Sequence, residues 1–276
     1  QNLHIDGIAT CSIDLCIPAV GLVCETMHLS GPSYEAAIKA SDKYRMKLAF
    51  SEGGVSTAPF HVIYEAEQLE KAMHVLGFPI VIKAVDQSGS RGIFRCNNRQ
   101  EALNRYDEAM HVTKKEYCLV EKFIEGQTFG VEGMVENGKI LFLMPNNTIN
   151  YISAVPTPIG HSIPLKDMDI LKDRIQKEVQ KAVKAAGIDN CPFNFDFIYD
   201  GKEIYVIEMA ARSGANGLAE LVSEKYGINY YEMIAKIAVK EDVSHAFMNE
   251  SPYAYRYQKI ITEKKGVITS IIQNND

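Results

Sequence analysis

The fold of this chain is decided by the stretch NFDFIYDGKEIYVIEMAAR, residues 194–212. Apolar residues alternate with polar ones on both sides of Asp200-Gly201, which is the pattern of a β-hairpin. Asp196 and Glu208 lie inside the two apolar strands. Because buried carboxylates are rare unless they are paired or bind a cation, the two acids indicate a metal site.

The geometry of the two acids depends on the turn between the strands. A two-residue loop would place them on opposite faces of the sheet. An odd-numbered loop centred near Lys202 would set Asp196 directly across from Glu208, with Cβ atoms about 5 Å apart. Only the second arrangement makes a Mg²⁺ site that also accepts nucleotide phosphates. The alternative is a hairpin whose acids pair with Lys or Arg. Arg212 follows the second strand, within reach of a phosphoryl group.

A second candidate site begins in the apolar strand 80–85, which contains Lys83 and runs into a glycine-serine loop. Lys83 shares its strand face with Val81 and Val85, which would hold the ammonium over a pocket. Small residues let backbone N–H groups close on phosphate oxygens, and the loop provides Ser88, Gly89, Ser90 and Gly92. The alternative is an edge-strand lysine before a plain mobile loop.

A third candidate site is the segment 119–126, where Glu121 ends an apolar strand and Lys122, Phe123 and Ile124 follow. An adenine ring needs a hydrogen-bond acceptor, a backbone edge and apolar walls, and this segment can supply all three. The alternative is a solvated Glu-Lys pair at the end of a strand.

Helices and strands alternate along the rest of the chain, which predicts an α+β fold. The pattern predicts strands at 59–64, 80–85, 117–123, 129–135 and 139–145, a hairpin at 193–209, and helices at 65–76, 99–110, 166–186, 218–226 and 231–239. The first thirty residues predict a short strand at 5–9 and a helix ending near Met27, as at the end of a βα layer.

Composition limits the classes of function. A chain of 276 residues with 46% hydrophobic residues can bury a large core, and its net charge of −6 argues against a nucleic-acid partner. No apolar stretch is long enough to span a bilayer, and no signal or transit peptide is visible, so we expect a cytoplasmic protein. The six cysteines form no CxxC pair, which favours reduced thiols over disulfides or zinc.

The order and spacing of the three sites resemble the ATP-grasp superfamily over residues 32–240, in particular its carboxylate–amine ligase type, which includes L-amino-acid ligases, biotin carboxylase and the ATP-grasp domains of carbamoyl-phosphate synthase. In that family one lysine opens a helix after an aspartate, as Lys43 does here. A second lysine precedes a glycine-rich loop, as Lys83 does, and the paired magnesium carboxylates lie twelve residues apart, like Asp196 and Glu208.

The resemblance implies ATP and Mg²⁺ as cofactors and a role for each matching residue. Phosphates would be bound by Lys43, Lys83, Ser88, Gly89, Ser90 and Gly92, adenine by Glu121, Lys122, Phe123 and Ile124, and Mg²⁺ by Asp196 and Glu208. Lys83 and Arg212 would be catalytic. Two positions depart from the family pattern: Thr128 stands where many members have a ribose-binding glutamate, and Ala210 where many have a metal-binding asparagine. Asn216 or water is the alternative ligand.

The resemblance also implies a division of the chain. Residues 1–31 would be the end of an N-terminal Rossmann-like preATP-grasp domain, 32–125 the first ATP-grasp subdomain and 126–240 the second. Residues 241–276 would form a C-terminal segment, either complete or truncated.

The implied activity is that of an ADP-forming carbon–nitrogen ligase, which activates a carboxylate as an acyl-phosphate and joins it to an amine. The expected partners are a small-molecule carboxylate and amine, with a homodimer as a further possibility. Two alternatives stay open: an ATP-grasp enzyme acting on bicarbonate or a purine-pathway intermediate, and a nucleotide-binding module with degraded catalysis. His161 either lines the acceptor pocket or is structural.

Overall fold

Two antiparallel sheets form the framework of the chain in the computed structural model, which describes residues 4–151, 157–261, 265–267, 269–270 and 272. The smaller sheet has the order β1-β4-β2-β3, with strands β1 Phe60–Ile63, β2 Ile80–Ala84, β3 Ile93–Cys96 and β4 Cys118–Lys122. The larger sheet has the order β10-β7-β6-β5-β8-β9, with strands β5 Gln127–Glu136, β6 Lys139–Tyr151, β7 Thr157–Ile163, β8 Cys191–Tyr199, β9 Ile204–Ala210 and β10 Tyr255–Gln258.

Helices cover both sheets. They are α1 Ile17–Met27, α2 Tyr34–Lys39, α3 Lys43–Glu52, α4 Ala66–Leu76, α5 Arg99–Val112, α6 Met168–Ala186, α7 Leu218–Tyr226 and α8 Tyr230–Ala238. Buried residues of α4 and α5 pack on the smaller sheet. Buried residues of α1, α2, α3 and α6 pack on one face of the larger sheet, and those of α7 and α8 pack on the other. None of the described helices combines the length and hydropathy needed to cross a bilayer.

The alternation of residues along β8 decides which side chains lie on the sheet face opposite α6, the cleft face, which carries Asp196 and Glu208. Phe193, Phe195 and Phe197 are fully buried on the face that packs against α6. Because successive side chains of a strand point to opposite faces, Asn194 and Asp196 lie on the other face. The aromatic core therefore orients the polar residues of this strand.

Most predicted strands and helices are confirmed to within a few residues, and the α+β fold with them. The predicted strand at 5–9 is wrong, because this segment carries no regular structure and no described strand lies beside it. Instead it passes along α8, where a Cβ on Gly7 would lie 2.5 Å from the Ala238 carbonyl oxygen. The strands β3 and β7 were not predicted. All six cysteines are free thiols, as expected.

Candidate active site

Asp196 on β8 lies directly across from Glu208 on β9. The predicted odd-numbered loop is wrong: the strands pair up to a four-residue turn over residues 200–203. The register that aligns the two acids comes from one extra residue in β9, Ile207, which forms a β-bulge. The cross-strand pair therefore exists, but for a different structural reason than the turn length.

The bulge also decides which face Glu208 occupies. Val206 and Met209 are both buried in the core beneath the sheet. Strict alternation from Val206 would turn Glu208 toward that core and Met209 away from it. The extra residue restores the alternation, so that Glu208 shares the cleft face with Asp196.

The two carboxylates differ in their protonation. Solvent reaches the Asp196 side chain, yet the pKa of its carboxyl is raised to about 6, first by desolvation and then by the Glu208 charge. The two observations together describe a carboxylate in a concave surface, open to solvent on one side. Desolvation would also raise the pKa of Glu208, but the charge of Lys43 outweighs it and the pKa is lowered.

Lys43 connects the hairpin to the glycine-serine loop. It is the first residue of α3, whose N-terminus is capped by the Asp42 side chain. Its Nζ donates to Glu208 Oε1 at 2.8 Å and to the Gln87 carbonyl oxygen at 2.8 Å. Desolvation opposes the charged form of this buried lysine, but the contact with Glu208 outweighs it and raises the Lys43 pKa.

Lys83 and Glu121 form a second buried charge cluster, together with a lysine that the sequence analysis missed. Lys83 Nζ lies 2.8 Å from Glu121 Oε1, in an ion contact rather than a well-aligned hydrogen bond. Lys47 Nζ lies 3.1 Å from Glu121 Oε2 and 2.5 Å from Thr57 Oγ1. Desolvation would raise the pKa of Glu121, but the two lysines lower it. Desolvation, partly offset by Glu121, lowers the pKa of Lys47 to about 8.

The loop between β2 and β3 is tied down at its base and open at its tip. Asp86 Oδ2 accepts from the Lys114 N–H at 2.9 Å, and its Oδ1 from Thr113 Oγ1 at 2.8 Å. Gly89 at the tip has no other atom within 4 Å of a hypothetical Cβ. Gly89, Ser90 and Gly92 all have positive φ, a conformation that the two glycines adopt without strain and that is uncommon for the serine. Ser88 lies beside them, where its carbonyl oxygen accepts from Arg91 Nε at 3.2 Å.

The residues at the end of β4 and just after it are engaged by neighbouring residues of the same sheet region. Lys122 Nζ donates to the Gly77 and Phe78 carbonyl oxygens at 3.1 and 3.3 Å. The Phe123 N–H donates to the Pro79 carbonyl oxygen. The Phe123 ring is covered by the Arg95 guanidinium at 4.2 Å. No described residue accepts a hydrogen bond from the Ile124 N–H, and the Thr128 side chain is exposed. The adenine contacts of this segment stay predictions.

Arg212 is held by Asp14, near the N-terminus, and by its own neighbour Ser213. Its Nε donates to Asp14 Oδ1 at 2.7 Å, its Nη2 lies 2.5 Å from the same oxygen, and its Nη1 donates to the Ser213 carbonyl oxygen. The structure therefore places Arg212 at the edge of the cleft, with its guanidinium partly committed to Asp14.

Glu132 is a second residue that the sequence analysis missed. It is fully buried on β5, where its Oε2 accepts from the Gly214 N–H at 2.9 Å and from Asn194 Nδ2 at 3.2 Å. Desolvation raises the pKa of Glu132 to about 8 despite these hydrogen bonds. An acid within the apolar run FGVEGMV is the same signal that identified Asp196, so the sequence contained the information.

His161 lies on the same face of the larger sheet, three strands from Asp196. Its Nδ1 is 2.9 Å from Asn146 Oδ1, and both side chains are buried. Desolvation lowers the pKa of His161 to about 4, so the imidazole is neutral at physiological pH. A Cβ on Gly130 would lie 2.8 Å from Asn146 Oδ1, which explains the glycine between Asn146 and Asp196.

The donor set of the hairpin fits a hard divalent cation. Asp196 and Glu208 offer carboxylate oxygens on one face, and Mg²⁺ is commonly held by one or two carboxylates together with phosphates and water. No third acidic or histidine side chain completes a metal cluster among the residues that the structure describes. Ala210 supplies no ligand at the position of the family asparagine.

Similarity to known proteins shows the family of this chain. The family model described as an ATP-grasp domain matches residues 76–220. The structure of phosphoribosylglycinamide synthetase from Anaerococcus prevotii is 38% identical with a TM-score of 0.79, and the match covers 100% of this chain and 70% of that one.

Two further relatives are ligases of amino acids. The L-amino acid ligase from Bacillus licheniformis is 25% identical with a TM-score of 0.75, over 88% of this chain and 58% of that one. The L-arginine-specific L-amino acid ligase of Bacillus subtilis is 26% identical over 78% of this chain and 53% of its own length. This chain thus spans about half the length of the curated relatives it matches first. The family model covers more than half of the residues, and the Anaerococcus prevotii synthetase is 38% identical to the chain. The chain therefore belongs to the ATP-grasp family.

Proposed function

We propose that this chain binds ATP with Mg²⁺, transfers the γ-phosphoryl group to a substrate carboxylate with release of ADP, and joins the resulting acyl-phosphate to an amine with release of phosphate. The observation that carries the proposal is the collection of charge in one cleft. Asp196 faces Glu208 across the hairpin, and Lys43 contacts Glu208. Lys83, which pairs with Glu121 on the smaller sheet, adds to the effect of Lys43 in lowering the pKa of Glu208 against desolvation. The lysines complement the phosphates of a nucleoside triphosphate, and the carboxylates complement its Mg²⁺ ion.

The lysines act by neutralising phosphate charge. Lys43 Nζ now bridges the Gln87 carbonyl and Glu208, and phosphate oxygens replace such contacts when a nucleotide binds. Lys83 is held by Glu121, so its ammonium is oriented before the substrate arrives. Catalysis by positioned charge needs little rearrangement in the transition state.

Asp196 and Glu208 would hold Mg²⁺, which would supply positive charge to offset the charge that develops during phosphoryl transfer. The exposed tip of the loop at Gly89 is open to approach from the cleft. Closure of this loop over the phosphates would exclude the water that otherwise hydrolyses an acyl-phosphate. Arg212 would bind the oxygens of that intermediate.

An amino acid is the carboxylate substrate that the comparisons favour. One relative is named for joining L-amino acids, and another for making a glycinamide, which is an amide of an amino acid. The neutral pair His161 and Asn146 is buried on the same sheet face beyond Asp196, which favours a structural role for His161 over a contact with the acceptor. The relative with 38% identity is named for a phosphoribosyl glycinamide, so a phosphorylated sugar amine is a second candidate for the acceptor.

We also propose the division at residues 31, 125 and 240, with the N-terminal residues as part of a preATP-grasp domain. Limited proteolysis followed by mass spectrometry would test it, because cleavage should concentrate near these boundaries. A homodimer stays a prediction that light scattering would check.

The test of the proposed function is ADP release by the purified protein. Each proteinogenic amino acid, alone and with a second amino acid or a phosphorylated sugar amine, is supplied with ATP and Mg²⁺. We expect ADP release when one of the amino acids supplies the carboxylate. The release should be lost in the variants Lys83→Ala and Glu208→Gln, and in the wild-type protein when EDTA removes Mg²⁺. Lys71→Ala is the matched control, because Lys71 forms an exposed ion pair with Glu67 far from the cleft. If ATP binds but no mixture releases ADP, the chain is a nucleotide-binding module.

A further inference from the structure

The N-terminal segment is fastened to the loop that follows β9. The Ser12 N–H donates to the Ser213 carbonyl oxygen at 3.1 Å, and Ser12 Oγ donates to the Gly214 carbonyl oxygen at 3.2 Å. Cys11 forms an isolated parallel β-bridge with Ser213. These contacts join residues about two hundred positions apart in sequence. The segment 11–14 is therefore a strap across the end of β9.

Asp14 lies between two fixed points of this strap. Before it, Ser12 is bonded to the loop; after it, Ile17 at the start of α1 is fully buried in the core. The Asp14 carboxylate cannot swing far from Arg212 while both ends hold. This geometry differs from that of a mobile plug, which would be attached at one end and free to leave the site.

The contacts of Arg212 leave part of its guanidinium free. Asp14 takes the edge formed by Nε and Nη2, and the Ser213 carbonyl takes one N–H of Nη1. The remaining terminal N–H groups stay available for an anion.

The geometry points to Asp14 as a positioning residue, which fixes the guanidinium of Arg212 so that its free N–H groups face a phosphoryl oxygen in the cleft. This inference rests on the proposed function, because it takes the anion at Arg212 to be the phosphoryl group of an acyl-phosphate. The opposite possibility is that the Asp14 carboxylate competes with that anion for Arg212. The two differ in the sign of the effect when Asp14 loses its charge.

The test uses inorganic phosphate as the probe. Phosphate is titrated calorimetrically into the protein with saturating MgADP and, separately, without nucleotide. Asp14→Asn should weaken phosphate binding by about tenfold, because a misplaced binding group loses most of its effect. Arg212→Ala should weaken it at least as much, and the double variant no further. MgADP affinity should stay within about twofold in Asp14→Asn, since a local defect spares the distant nucleotide contacts.

Two further variants separate positioning from folding. Asp14→Glu keeps the ion pair and should restore most of the phosphate affinity, even if Asp14→Asn proves poorly folded. Glu35→Gln removes an exposed carboxylate that pairs with Lys39 and should change nothing. Phosphate binding that is unchanged or tighter in Asp14→Asn, additive effects of the two single variants, or no phosphate binding by the wild-type protein in either titration would each overturn the inference. Failure to bind MgADP would instead contradict the proposed function.

Discussion

Asp196 and Glu208 face each other because β9 carries one residue more than the length of β8 it pairs with, and that residue is Ile207. The bulge keeps Val206 and Met209 in the core while Glu208 turns to the cleft. Two like charges then share a small volume, and Lys43 contacts only Glu208, so the cost of charging falls on Asp196. The hairpin thus stores an electrostatic cost that Mg²⁺ would relieve.

Asp196→Asn should therefore stabilise the metal-free protein while it weakens Mg²⁺-dependent ATP binding. The folded pKa of Asp196, about 6, lies above its ordinary value of 3.8, so its contribution to stability declines as the pH rises from about 4 to 6. At pH 7 the free energy of unfolding of the variant should be higher by up to about 1 kcal/mol. The gain is no larger because water reaches this side chain and screens its charge. Urea unfolding and nucleotide titration measure the two changes.

The control for this variant lies in the same hairpin. The backbone N–H groups of Glu203 and Lys202 donate to Asp200 and lower its pKa, in the opposite direction to Asp196. Asp200→Asn should therefore not stabilise the protein at pH 7, and it should leave ATP binding unchanged. Equal stabilisation by both substitutions would refute the electrostatic explanation.

The periodicity of the sequence predicted most of the fold, because α6 and the 193–209 hairpin have strong apolar patterns that local rules can detect. It also predicted that Asp196 and Glu208 would be paired. It could not predict the bulge, since whether the extra residue lies in the turn or in the strand depends on which apolar residues the core buries. The prediction of a strand at 5–9 was wrong because an apolar pattern does not reveal whether a neighbouring strand exists.

The site residues that the sequence did not reveal make contacts between distant parts of the chain. Arg212 and Asp14 are 198 positions apart, and nothing near Asp14 in sequence indicates its partner. Lys47 lies one helical turn after Lys43, so the sequence did carry a signal that both face the same side. That Lys47 reaches Glu121 depends on the packing of α3 against β4, which only the tertiary structure reveals.

Glu132→Gln should remove a pH dependence of stability. The folded pKa of about 8 exceeds the ordinary value of 4.5, so the folded state binds a proton that the unfolded state has lost between these values. Stability should consequently fall as the pH rises, by up to about 1.4 kcal/mol per pH unit. The glutamine variant should show a flatter profile from pH 5 to 8 in urea unfolding.

The decisive quantity for Glu132 is the difference between the two pH profiles, because Asp196 contributes to both of them equally. Parallel profiles would mean that Glu132 is ionised in the folded protein throughout this range. That result would contradict the raised pKa and would make the Gly214 N–H and Asn194 the dominant influences on the carboxylate.

Lys47→Met should strongly destabilise the protein, because it leaves Glu121 buried with one partner fewer and Thr57 Oγ1 without its lysine contact. Removing one member of a buried charge cluster costs about 3 kcal/mol. Adding Glu121→Gln should recover part of the loss. Urea unfolding checks both, with Lys71→Met as the exposed control, which should change stability by less than about 0.5 kcal/mol. A loss that the second substitution deepens would contradict the shared-charge explanation.

Substitutions at two glycines of the glycine-serine loop distinguish the effect of backbone conformation from the effect of packing. Gly89 and Gly92 both have positive φ, but a Cβ on Gly89 meets nothing within 4 Å, whereas one on Gly92 would lie 2.6 Å from Val112 Cγ2 and 2.7 Å from Ala84 Cβ. Gly89→Ala should therefore cost about 1 kcal/mol of stability, and Gly92→Ala about 3 kcal/mol, because it adds steric overlap to the strain. Thermal and urea unfolding measure both values. Equal costs would indicate that the loop base shifts to accommodate the methyl group, and the attachment of Asp86 to Lys114 would then not be rigid.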